Sequence, residues 1–173
     1  ALGNLDIDGN FEHISGASSF IDGGFDHTLA GNYNVGEART RGGVTGTFTF
    51  DGADQILELT SYFNELIFAN SGTVFATVWF EVENDFTMNN GSSYSGDNNV
   101  YINEGDFFLN PTAVFTQTNN SLWFRGTSRT QHITMNTNSY ANNIINQKNG
   151  ATTDTLKLLS DITANNTFYN GYA

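Results

Sequence analysis

Apolar and polar residues alternate along much of this chain with a period of two. The longest run is 72–88, GTVFATVWFEVENDFTM, with Val74, Ala76, Val78, Phe80 and Val82 on one face. Phe75, Thr77, Trp79, Glu81 and Glu83 fall on the other. Alternation of this kind marks a half-buried strand, so one long strand is predicted there. Shorter alternations predict strands at Val100–Ile102, Phe107–Leu109, 114–116 and 122–125, with a polar loop over 89–99 and a turn at Asn110-Pro111. Residues 54–69, DQILELTSYFNELIFA, fit both a helical stripe and a strand alternation. Their strongly β flanks favour the strand.

The first part of the chain also repeats against itself. Ile7, Asp8, Gly9, Phe11, Glu12 and His13 match Ile21, Asp22, Gly23, Phe25, Asp26 and His27 fourteen residues later. A third fourteen-residue segment keeps only Val35 and a glycine-rich exit, and a fourth keeps apolar positions and a shifted Asp51-Gly52, a decaying repeat that predicts stacked turns or hairpins. The expected organisation is a short-period β repeat over 1–70, followed by a longer-strand β region over 71–173 whose distal part is rich in Asn and Thr. Fourteen extended residues reach only about 46 Å, so a rung of that size encloses little. Its interior is expected to come from neighbouring rungs or identical chains, which points to a homotrimer. The fold class is therefore all-β: an elongated β-helix or stack of hairpins with an antiparallel β portion, assembled as a trimer.

Composition supports the all-β reading. Aromatic residues make up 14% of the 173, with 18 Gly and a single Pro, which suits pleated surfaces and tight turns rather than helices. The net charge of −12 repels phosphate backbones and argues against nucleic-acid partners. Without cysteine the fold uses neither disulfides nor thiolate metal sites. No apolar run approaches the length needed for a membrane helix. The opening residues ALGNL hold neither a basic region nor an apolar core, so no signal peptide is expected within them.

Short apolar couplets in an Asn/Gly/Thr/Ser background, as in LDIDGNF, DNNVYINEG, SLWFRGTSRTQHITM and TTDTLKLLSD, resemble the β-structured shafts of bacteriophage tail fibres and related virion appendages. The resemblance implies an elongated, homotrimeric, extracellular virion component that works with other virion proteins in host attachment. A secreted bacterial β-solenoid adhesin or filament subunit is the first alternative, and a glycan-degrading spike the second. An ice-binding solenoid would require a regular threonine ladder.

Candidate chemistry is sparse. Trp123, Arg125, Arg129 and Tyr140 form the one basic-aromatic cluster. Aromatic faces and guanidinium forks suit a cell-surface glycan or a partner subunit. His13 and His27 share a phase of the repeat, and stacked histidines can gather a metal. They also fill a surface slot beside Glu12 and Asp26, which is the reading preferred. Asp6 and Asp8 with Gly9 open like a calcium loop, but Ala17 stands where the closing carboxylate belongs, so a turn is expected. Glu58, Glu65, Glu81, Glu83 and Asp85 supply carboxylates without a defined pair. No nucleophile triad, zinc signature or phosphate loop is present. The chain reads as a non-enzyme with no catalytic, metal or cofactor residues.

Overall fold

The computed structural model describes residues 3–13, 23–35, 45–127, 129–147 and 155–171. Among the described residues are twenty strands and no helix, wound as a β-solenoid of about seven turns. Three sheets form its walls. Sheet A stacks β1 (Leu5–Ile7), β3 (His27–Leu29), β5 (Thr47–Phe50), β8 (Glu65–Phe68), β11 (Phe86–Met88), β14 (Phe107–Leu109), β17 (Gln131–Thr134) and β19 (Leu156–Leu158). Sheet B stacks β2 (Phe11–His13), β4 (Tyr33–Val35), β6 (Gln55–Leu57), β9 (Thr73–Ala76), β12 (Ser93–Gly96) and β15 (Val114–Gln117). Sheet C stacks β7 (Ser61–Phe63), β10 (Phe80–Val82), β13 (Val100–Ile102), β16 (Ser121–Phe124), β18 (Ala141–Asn146) and β20 (Ala164–Asn170).

Every strand pairing is parallel, so the expected antiparallel portion is absent from the described residues. The reason is topological. The chain leaves each strand through a corner onto the next wall and returns to the first wall one rung higher, still running the same way. The predicted long strand at 72–88 shows this directly: β9, β10 and β11 lie on three different walls. Of the inward set, Val74, Ala76, Phe80 and Val82 are buried as the alternation requires, because the corners in this segment conserve its parity, whereas Val78, between β9 and β10, is only half-buried. Residues 54–69 likewise supply β6, β7 and β8, one on each wall. The loop expected at 89–99 contains β12, whose Tyr94 is fully buried.

Fourteen residues do not make a rung. Paired residues stand between 18 positions apart, as Thr47 and Glu65 do, and 26, as Asp106 and His132 do. The pairing continues past residue 70 on all three walls, with β6 against β9, β7 against β10 and β8 against β11. A rung of this length encloses a real interior. Phe50, Phe68, Phe80, Phe86, Phe107 and Phe115 are buried inside it. Their rings touch from rung to rung, with centroids 5.4 Å apart for Phe50–Phe68, 4.9 Å for Phe68–Phe86 and 5.3 Å for Phe86–Phe107. Each buried phenylalanine stabilises the fold by about 1.5–3 kcal/mol. The chain thus fills its own core, and the inference that it borrows an interior from sister chains fails; a homotrimer would have to assemble through outer faces.

Two devices let the rungs close up. Gln131, fully buried, donates from Nε2 to the Gly105 carbonyl at 2.7 Å and accepts the Gly126 N–H at 3.2 Å. Gln55 does the same with the carbonyls of Leu29 and Gly31 and the N–H of Gly52. Both satisfy inward-facing backbone groups that would otherwise be buried unpaired. Gly105 is needed for close approach, since a Cβ there would lie 1.9 Å from the Asn84 carbonyl carbon. At the C-terminal end of the described coil the inward side chains lose their cover: Leu158 is 47% exposed and Phe168 46%.

Tyr94 stacks on Phe115 with centroids 4.7 Å apart, and its buried hydroxyl has no hydrogen-bond partner. Burial, with Asp97 nearby, pushes its pKa above the ordinary tyrosine value, so it stays neutral. An unsatisfied buried hydroxyl is destabilising. Tyr94→Phe is therefore expected to raise the unfolding free energy by about 1 kcal/mol, measured by denaturant titration. Gly105→Ala is expected to lower it by about 1–3 kcal/mol in the same titration.

Candidate functional site

Strand alternation sends every second residue of sheet C outward, and in-register stacking sets those residues in a row along the solenoid. The row runs Tyr62, Glu81, Tyr101, Trp123, Ile145, Tyr169. Trp79, two residues before Glu81, lies edge-on between Tyr62 and Tyr101, with centroids 5.6 and 5.7 Å from theirs. Tyr101 and Trp123 follow at 6.0 Å and are tilted by 33°. The outcome is a continuous, half-buried aromatic band over several rungs.

The band is held by side-chain hydrogen bonds between rungs. The Asn99 Oδ1 accepts from Trp123 Nε1 at 3.1 Å and from the Ser121 N–H at 3.0 Å, which fixes the indole. Asn103 Nδ2 donates to Glu81 Oε1 at 2.6 Å and to Glu83 Oε2 at 2.8 Å. Glu81 is only 4% exposed although its strand position points outward, whereas Glu83 is exposed. Above the band, the Arg125 guanidinium lies 3.7 Å from the Tyr101 centroid and 5.6 Å from that of Trp123. A cation over an aromatic face is favourable by about 0.5–1 kcal/mol at an exposed site.

Of the four residues grouped from the sequence, the structure brings Trp123 and Arg125 together. Tyr140 bridges to Thr116 beside sheet B. Arg129 faces sheet A, its Nη2 3.1 Å from Asp106 and 4.0 Å from Asp85. Tyr62, Trp79 and Tyr101 were missed because they are distant in sequence. Their signal was an outward aromatic followed at once by an inward apolar residue, as in Tyr62-Phe63, Tyr101-Ile102 and Trp123-Phe124. The pattern is visible only once the rung length is known.

The other candidates separate. His27 is buried in sheet A and its Nδ1 accepts the Leu5 N–H at 3.0 Å; His13 belongs to β2 on sheet B, and its side chain lies outside the described residues. A shared phase in a fourteen-residue count does not bring the two together, because fourteen is not the rung step. Asp6 accepts the Thr28 hydroxyl at 2.6 Å. The outward row of sheet A aligns Thr28, Thr49, Thr87 and Thr134, but Ile67 and Phe108 interrupt it. It is not a regular threonine ladder.

Sheet A also carries a shallow groove of about 290 Å³ lined by Asp85, Asp106, Phe108, His132 and Leu159. Asp106 Oδ1 accepts the His132 N–H at 2.8 Å, its Oδ2 lies 3.1 Å from His132 Nδ1, and Arg129 completes the cluster. Partial burial pulls the Asp106 pKa up, but the His132 contacts and the Arg129 charge outweigh it and hold it below the ordinary aspartate value. A depressed folded pKa gives stability that is present above the unfolded value, near 4, and lost as pH falls through the folded value. Asp106→Asn is expected to destabilise at pH 7 by less than about 1 kcal/mol, given solvent screening. The difference from the parent should shrink below about pH 4, read from denaturant midpoints across pH.

Comparison with protein families, characterised proteins and solved structures gives no match, so the reading of the sheet C face rests on its own geometry.

Proposed function

We propose that this chain is a rigid, self-supporting segment of an extracellular attachment structure, a phage tail fibre or related virion appendage, and that sheet C is the face that meets a host-surface glycan. The observation that carries the reading is the outward band Trp79, Tyr101 and Trp123 capped by Arg125. Aromatic side chains offer large contact area with little entropy to lose, and their faces match the apolar faces of sugar rings. A solenoid wall suits this task because adjacent rungs fix the spacing of the rings before any ligand arrives. A bacterial β-solenoid adhesin would use the same face in the same way.

Glu81 and Glu83, bridged by Asn103, favour a second reading, a glycan-degrading spike. Against it, Glu81 is sealed from solvent and one of its oxygens is already engaged. Binding without cleavage is the better fit.

The test is co-sedimentation of the protein with a panel of bacterial envelope polysaccharides. Trp123→Ala and Tyr101→Ala should each weaken retention at least tenfold, while Phe75→Ala on the outer face of sheet B leaves it unchanged. Equal retention of all three variants would refute the assignment of the face. Release of reducing ends that disappears in Glu83→Gln would replace binding by hydrolysis.

A further inference from the structure

Arg125 carries more information than its neighbours. The residues that follow the strands of sheet C form a second row, Asn64, Glu83, Asn103, Arg125, Gln147 and Gly171, in which Asn64 is buried and Glu83, Asn103, Arg125 and Gln147 reach the surface. Arg125 is its one cation. Its backbone N–H bonds to the Ile102 carbonyl, but among the described residues its guanidinium N–H donors make neither a hydrogen bond nor an ion pair, although Glu83 belongs to the same row. Stacking over Tyr101 fixes the plane of the guanidinium and leaves its N–H edges open to a ligand. A planar fork with free donors matches a carboxylate, which it binds through two parallel hydrogen bonds.

The surroundings limit how many carboxylates the face accepts. Glu83 is exposed two rungs along the row, Glu81 lies beside it, and the whole chain carries −12. A ligand with acid groups at every sugar would place its second carboxylate against these charges. Resting on the glycan-binding reading above, we infer that sheet C recognises a polysaccharide with isolated carboxylated sugars, one uronic or sialic-type acid among neutral residues. Its carboxylate sits on Arg125 and a neighbouring neutral ring packs on Trp123.

The experiment uses an array of bacterial surface polysaccharides, each printed in native form and after chemical reduction of its carboxyl groups to alcohols. The strongest signals should come from polymers with one uronic or sialic acid per repeat unit. Carboxyl reduction should lower them at least tenfold, and Arg125→Gln should give the same loss on the native polymers while the thermal unfolding midpoint falls by no more than about 4 °C, the protein remaining folded at the assay temperature. Binding that survives reduction would overturn the role of Arg125 while leaving glycan recognition standing. Polyuronates bound as tightly as sparsely charged polymers would overturn the limit to isolated acids. Silence across the array would overturn both this inference and the glycan reading it rests on.

Discussion

The stacking of each rung directly on the last, in parallel register, is the constraint from which the rest of this molecule follows. It turns a short-range alternation into long-range order: whatever points inward on one rung meets the inward residue of the next. For phenylalanine this produces a ring column through the middle of the solenoid, and for glutamine and glycine it produces corners that close without orphaned carbonyls. The same rule acts on the outside, where it aligns side chains that have no contact in the sequence. The core and the candidate site are two faces of one repetition.

Much of the wall structure was legible in the sequence. Alternation in 72–88 correctly assigned Val74, Ala76, Phe80 and Val82 to the interior, because the corners inside this segment keep inward and outward parity, as the corner from Phe50 to Gln55 and that from Phe124 to Gln131 do not. The same property hid the corners, so three strands read as one. The rung length was not legible. Corner loops differ in size, the step from rung to rung drifts between 18 and 26 residues, and in-register inward positions differ in both residue type and size, as Ser61, Phe80 and Val100 do. The IDG-x-F repeat offered a conspicuous but unrelated period, and the trimer followed from taking it as the size of a rung.

The candidate site shows the same division. Trp123 and Arg125 stand two residues apart on one outward face, so their association was readable locally. Tyr101, the ring on which Arg125 lies, comes from the rung before. Arg129 and Tyr140 are close in sequence, yet corners carry them onto other walls. Proximity in a solenoid is set by rung and wall, and sequence distance predicts it poorly beyond the length of one strand.

The direction of the backbone hydrogen bonds has a mechanical consequence. Strands lie across the long axis and bond to the rung above and below, as Arg125 N–H does to Ile102 and Gln147 N–H to Phe124. Bending or squeezing the rod works against its packed aromatic interior, which is stiff. Tension along the axis instead pulls those bonds lengthwise and parts them one rung at a time. A wall of this kind holds its shape well against sideways force and resists end-to-end stretching least.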